Sequence, residues 1–343
     1  MKPDNFPKSG EDLHFCRMQN KANIVSTYPR IVFMGTPAFA VASLNALVKA
    51  GYLVVAVITA PDKPAGRGMH LQQSEVKKYA VEHQIPVLQP EKLKNQSFLE
   101  TLRTYNADLQ VVVAFRMLPE VVWNMPSMGT LNVHGSLLPQ YRGAAPINWV
   151  IINGEKETGV TTFKLKQEID TGDLLLQQRL PISPNETAGE LHDRMKEAGA
   201  LLLVKTLEGL VNGTIQPIPQ QAFNNHTPVK NAPKIFTETC RIDVNRTANE
   251  VHNLVRGLSP FPGAFTYLDG KMLKVFLTSK SLEFGSNGSP GQWLTDGKNQ
   301  LLLCCADGWL NVLDLQLEGK KRMSTPDFLR GYRAVEQSDV KWF

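Results

Sequence analysis

Cysteine is scarce in this chain and poorly placed for chemistry. Its four residues, Cys16, Cys240, Cys304 and Cys305, include no C-x-x-C pair, which excludes a zinc ribbon or a dithiol redox motif and leaves small reduced hydrophobes. The histidines show no paired ligand spacing either, so no metal is expected. Nowhere does an apolar run approach the ~18 residues of a membrane span. Residues 1–29 lack the apolar centre of a secretory signal. Their acids and sparse arginines also argue against a mitochondrial leader, so a disordered tail, or a start codon upstream of Met18, is the simplest expectation there. One-sided charge is missing too. The net charge of +5 spreads as an excess of one positive charge over residues 1–29 and of two over each of 30–233 and 234–343. A nucleic-acid partner must therefore be argued from local patches.

What remains is a chain of 343 residues with ordinary apolar content, long enough for two domains. Arg30 to Gly35 reads as a buried strand, with Thr36 expected to cap a following helix and Pro37 to fill its first position. Gly51 stops that helix, and Leu53 to Thr59 forms a second strand, most simply parallel to the first. Such a beginning is Rossmann-like. It offers only Gly35 where a dinucleotide site needs three spaced glycines, and no acid closes the second strand, so NAD is not expected.

Ala107 to Phe115 is the most apolar strand and belongs in mid-sheet. Thr187 and Glu190 form a capping box before a long helix. The prolines at 217, 219, 228 and 233 mark residues 214–233 as an extended linker. After it come five short strands with Asp269-Gly270 and Asp307-Gly308 turns, the pattern of a small OB-like barrel. The expected architecture is α/β: a Rossmann-like parallel-sheet domain over residues 30–213, then an OB-like β-barrel domain over 234–343.

Chemistry concentrates in residues 131–146. Asn132 and His134 stand two apart on a short strand and so project from one face. Behind them runs a loop that folding alone does not demand, with Gly135, Ser136-Leu137-Leu138-Pro139, Arg142-Gly143 and Pro146. An amide, a titratable imidazole and a pinned loop with open backbone groups suit a planar hydrogen-bonding ligand beside a transferable acyl group. Asp170-Thr171-Gly172-Asp173 would ordinarily be only a turn. Beside His134, however, Asp170 can fix an imidazole tautomer and stabilise its protonated form. His192 reads as a surface residue. A loop over residues 61–70 carries Lys63 and Arg67, with Lys77 and Lys78 just beyond it, and these outnumber Asp62 and Glu75. It suits a phosphate-contacting arm.

These residues together resemble the methionyl-tRNA formyltransferase family along nearly all of 30–335. The resemblance rests on Gly35-Thr36-Pro37 after the first strand, the Pro-Ala-Gly-Arg-Gly loop at 64–68, Asn132-Val133-His134-Gly135-Ser136-Leu137-Leu138-Pro139 with Arg142-Gly143-Ala144-Ala145-Pro146, Ile169-Asp170-Thr171-Gly172-Asp173, and Arg256-Gly257-Leu258-Ser259-Pro260. It implies Asn132, His134 and Asp170 as the catalytic set. It also implies Ser136, Leu137, Leu138 and Pro139 as contacts for 10-formyltetrahydrofolate, and Lys63 and Arg67 as contacts for initiator methionyl-tRNA. The chain departs from the family at Phe115-Arg116, where a Tyr-Gly pair is usual in the pterin-pocket wall. A cytoplasmic monomer is expected. Competing readings are a formyltransferase acting on an amino-sugar nucleotide, a formyltetrahydrofolate hydrolase, and a silent folate- or RNA-binding protein.

Overall fold

The computed structural model describes residues 28–65, 70–223, 228–281, 288–332 and 340–342. The expected tail over 1–29 lies almost wholly outside them, as does Arg67.

Strand β1 (Arg30–Gly35) is apolar on both faces, as a central strand of a parallel sheet must be. Ile31 and Phe33 enter one core, while Val32 and Met34 enter the other. Helix α1 (Ala38–Lys49) follows. Its N-cap is Pro37 and no side chain caps it, so the expected Thr36 cap is not formed: the helix begins one residue later than that cap requires. Strand β2 (Leu53–Ile58) then pairs parallel to β1. Beyond it, the short antiparallel pair β3 (Lys63–Ala65) and β4 (His70–Gln72) precedes α2 (Glu75–Glu82), β5 (Val87–Leu88), α3 (Gln96–Thr104) and β6 (Leu109–Val113). After α4 (Glu120–Trp123) come β7 (Thr130–His134), α5 (Pro146–Ile152), β8 (Glu157–Lys164), β9 (Leu174–Pro181) and α6 (Ala188–Val211).

The sheet order is β5-β2-β1-β6-β7-β8-β9, with β6 in the middle. Its pairs are parallel from β5 through β7, the expected Rossmann-like parallel core, and antiparallel at β7–β8 and β8–β9, two strands added at one edge. Helices α1 and α6 cover one face through Leu44, Leu47, Met195, Leu202 and Leu207. On the other face lie Phe98, Leu99 and Leu102 of α3 and Val122 of α4. The Thr187–Glu190 capping box forms as the sequence indicates.

The second half holds α7 (Ala248–Gly257), β10 (Ala264–Leu268), β11 (Lys271–Ser281), β12 (Trp293–Thr295), β13 (Leu301–Cys305), β14 (Gly308–Leu317), β15 (Met323–Ser324), α8 (Thr325–Gly331) and β16 (Val340–Trp342). Its sheet runs β10-β11-β14-β13-β12-β16 and is antiparallel except at β12–β16. Cys304 and Cys305 enter different apolar clusters, as adjacent strand residues should, and both are free thiols.

The two halves are joined through α5 and α7. Ile152 reaches the second core, and Asn148 donates its amide to the Gly257 carbonyl at 2.7 Å. Arg256, buried at the joint, donates to the Glu186 carbonyl at 3.1 Å. Residues 214–233 were expected to be an extended linker; the described ones, 214–223 and 228–233, carry several hydrogen bonds to the first domain. Ile218 and Leu174 exchange both backbone hydrogen bonds, Ala232 donates to the Arg142 carbonyl, and Trp149 Nε1 donates to the Pro233 carbonyl at 2.7 Å.

Candidate active site

Alternation along β7 divides its side chains cleanly. Leu131 and Val133 enter the core, whereas Asn132 and His134 face a cavity of about 580 Å³, a size that suits a small-molecule ligand. The cavity lies past the carboxyl ends of β1, β6 and β7, three adjacent strands, where open α/β sheets hold their ligands. Pro37 and Phe39 enter it after β1, Ala114 to Leu118 after β6, and Gly135 after β7.

Asp170 arrives from the connection between β8 and β9. Its φ of 54° lies in the left-handed region, a conformation costly for most side chains. Two residues on, an added Cβ at Gly172 would lie 1.6 Å from the Lys164 carbonyl oxygen. Only glycine permits the connection to close so tightly against β8, and that closure delivers Asp170 into the cavity. Its Oδ2 stands 3.7 Å from His134 Nδ1 and accepts the Gly143 amide at 2.9 Å. His134 is 6 % exposed, and its Nε2 lies 2.9 Å from the Tyr141 carbonyl. A carbonyl only accepts, so Nε2 carries the hydrogen and Nδ1 is the ring atom left to face Asp170. Asn132, His134 and Asp170 therefore converge on one cavity.

The 140–145 loop that supplies these anchors is itself held. Burial, and then the Glu155 carboxylate, push the Tyr141 phenol above its ordinary range, so it stays a donor to Glu155 at 2.5 Å. Burial tends to raise Glu155, yet the bonds from Lys230 and Tyr141 outweigh it and keep the carboxyl below its usual range. At Gly143 the φ of +125° and a Cβ that would fall 2.4 Å from the Ala232 carbonyl oxygen again require glycine.

Ser136, Leu137, Leu138 and Pro139 are not brought to the cavity. The Ser136 hydroxyl is fully buried and donates to the Gln140 carbonyl at 2.6 Å, while Leu138 packs with Phe163 and Leu174. Leu138 thus packs behind the loop, while Leu137 is half-buried. The wall beside the polar triad is formed by Val112, Phe115, Leu118, Trp123 and Leu165, a broad apolar surface for a planar ring system. The sequence already placed Phe115 in this wall and Leu118 just past the central strand; Val112, Trp123 and Leu165 join them only in the fold. Arg116 turns its guanidinium onto the Pro90 and Glu91 carbonyls and lies 5.6 Å from the Phe115 ring. His192, read as a surface residue, lies at the cavity rim with its ring 5.1 Å from Phe39.

Lys63 is exposed on β3. Lys77 and Lys78 are paired with Asp62 and Glu75 at 2.5 and 2.6 Å, so they add less free positive charge than the sequence suggested. The Lys77 and Gln89 bonds hold the Asp62 carboxyl below its usual range. Among the described residues no group of three or more His, Cys, Asp or Glu is placed to hold a metal, and no helix is long and apolar enough to cross a membrane.

A carboxylate, an imidazole and an amide gathered beyond the carboxyl ends of a largely parallel sheet have the make-up of a group-transfer site. The model of the formyl transferase family matches residues 29–207, and that of the formyl transferase C-terminal domain matches residues 234–333. The chain belongs to the formyl transferase family. It is 52% identical over 317 residues to a methionyl-tRNA formyltransferase of Bacteroides fragilis, spanning 91% of this chain and 98% of that protein. To the methionyl-tRNA formyltransferase of Bacteroides thetaiotaomicron it is 51% identical over 310 residues, 89% and 96% of the two chains. The fold is also similar to HypX from Aquifex aeolicus in complex with tetrahydrofolic acid, with a TM-score of 0.61, 20% identity, and coverage of 91% of this chain and 50% of that one.

Proposed function

We propose that this enzyme transfers the formyl group of 10-formyltetrahydrofolate to the α-amino group of methionine esterified to initiator tRNA, in the cytoplasm and as a monomer. One observation carries the reading: Asn132, His134 and Asp170 meet in a single cavity of a chain that is 52% identical, over 91% of its length, to a methionyl-tRNA formyltransferase. The cavity fits the donor, because its apolar wall suits a pterin and its polar end suits the formyl group. The donor supplies an activated one-carbon acyl group on nitrogen. Lys63 and Arg67 would contact the tRNA, as would the domain over 234–343, which residues 214–233 tie to the catalytic domain.

An α-amino group has a pKa of about 7.7–8.0, so a useful fraction is neutral and nucleophilic near neutrality. As it adds to the formyl carbon, negative charge gathers on the formyl oxygen, and the Asn132 amide donates to that oxygen. His134 Nδ1 accepts the proton released by the amine, since Nε2 is committed to the Tyr141 carbonyl. The imidazolium so formed faces the Asp170 carboxylate, which stabilises it until the proton passes to the departing nitrogen.

The test is to incubate the protein with 10-formyltetrahydrofolate and charged initiator tRNA, an amino-sugar nucleotide, or no acceptor. Rapid donor consumption only with the charged tRNA is expected. Equal consumption without an acceptor would replace the reading with a hydrolase, and consumption only with the sugar nucleotide would replace it with a sugar formyltransferase.

A further inference from the structure

Gln220 comes from the segment that sequence alone marks as a linker, yet it is 2 % exposed and lies against the turn that carries Asp170. Its Nε2 donates to two carbonyls of that turn, those of Asp170 and Gly172, each at 2.8 Å. Its Oε1 accepts from the Arg142 guanidinium, at 2.6 Å from Nη2 and 3.2 Å from Nε. One amide thus bridges the Asp170 turn and the loop whose next residue, Gly143, donates to the Asp170 carboxylate. Backbone bonds between Ile218 and Leu174 seat the segment two residues before it.

Both ends of this amide are committed to parts that the reaction needs in register. Asp170 holds a left-handed backbone, a region that few residues other than Gly, Asn and Asp occupy, and the bond to its own carbonyl helps to hold the turn in that conformation. A polar group kept from water without a partner is costly, so losing the Nε2 donor leaves the Asp170 and Gly172 carbonyls with reason to move. We infer that Gln220 is a positioning residue for formyl transfer: it fixes the Asp170 carboxylate against His134 by joining the two loops that hold them, and touches neither substrate. The inference rests on the catalytic role proposed above for Asp170. It makes part of the connection between the domains a component of the active site.

Two substitutions separate its bonds. Gln220→Met keeps the volume and removes every bond, whereas Gln220→Glu keeps an acceptor for Arg142 and loses the donor to Asp170 and Gly172. Each is expected to lower kcat for formyl transfer about 10- to 100-fold, the scale of a small misplacement in a catalytic group, with the KM for each substrate changed less than threefold. In an Asp170→Asn background the further loss on adding Gln220→Met should fall below about threefold, because the residue acts through the carboxylate. A substrate-free signal comes from glycine-selective ¹⁵N labelling: the Gly143 amide proton should move upfield in both variants as its carboxylate partner drifts away.

Wild-type kcat in Gln220→Glu would overturn the inference, as would an equal loss in the Asp170→Asn background or an unmoved Gly143 resonance. Should Gln220→Met fail to fold, Gln220→Glu and its Gly143 signal still decide. If the wild-type protein formylates no charged tRNA, the proposed reaction fails, and the Gly143 signal then decides the positioning role by itself.

Discussion

His134 and Asp170 stand 3.7 Å apart, yet neither holds the other in place. The imidazole is anchored at Nε2 by the Tyr141 carbonyl, and the carboxylate by the Gly143 amide. A three-residue stretch of one loop therefore aims both groups, and their mutual contact is left to strengthen when the ring gains a proton. Asn132→Ala, His134→Ala and Asp170→Ala should each cost ~10²–10³ in turnover, the usual price of removing one transition-state partner. Binding of 10-formyltetrahydrofolate should stay within several-fold, because the apolar wall is untouched. Steady-state kinetics with a separate donor titration checks both parts.

The tight closure at Gly172 predicts an asymmetry between glycines. Gly172→Ala places a methyl carbon onto the Lys164 carbonyl and must displace the turn, so it should lower both stability and kcat. Gly213→Ala has a left-handed backbone but no atom within 4 Å of its Cβ, and should cost about 1–2 kcal/mol with kcat retained. Thermal melts and turnover of the two variants side by side give the comparison.

His252 predicts a pH dependence of stability. It is buried on α7 with Nδ1 2.9 Å from the Thr278 hydroxyl, and burial, reinforced by Arg256 and Lys280, holds its pKa below the ordinary 6.5. In the window below 6.5 the unfolded chain takes up a proton that the folded chain refuses, so the unfolded state binds more protons and stability declines as the pH is lowered. His252→Gln removes this contribution. Melting temperatures at pH 7.5 and 5.5 should drop further for the wild type than for the variant, and parallel shifts would contradict the assignment.

For the tRNA arm, Lys63→Ala should weaken use of charged tRNA and reduce the dependence of log affinity on log salt by about one unit. Arg67→Ala should do the same. Neither should change the KM for the donor. Filter binding across a salt series measures the slope directly.

Much of the first domain was legible because its signals are local. Alternating burial in β1, the apolar β6 and the Thr187–Glu190 box each arise within a few residues. The Asn-x-His spacing likewise put two side chains on one face before any tertiary information was needed. Less visible was whatever depends on distant segments meeting. Lys77 and Lys78 looked like free cations until Asp62 and Glu75 were placed beside them. Ser136 to Pro139 were named as folate contacts through the family resemblance alone, and what the structure adds is that the Ser136 hydroxyl bonds the Gln140 carbonyl and Leu138 packs with Phe163 and Leu174. Gln220 carried no local signal at all, since a buried role for a glutamine among prolines appears only when residues 170, 172 and 142 gather around it.

The most direct measurement is a single-turnover transfer of labelled formyl from 10-formyltetrahydrofolate to charged initiator tRNA, comparing the wild-type protein with His134→Ala. The geometry predicts label on the methionyl amine with the wild type and a rate at least ~100-fold lower in the variant. Transfer by His134→Ala at near the wild-type rate would show that the cavity between β7 and the Asp170 turn is not where the reaction takes place.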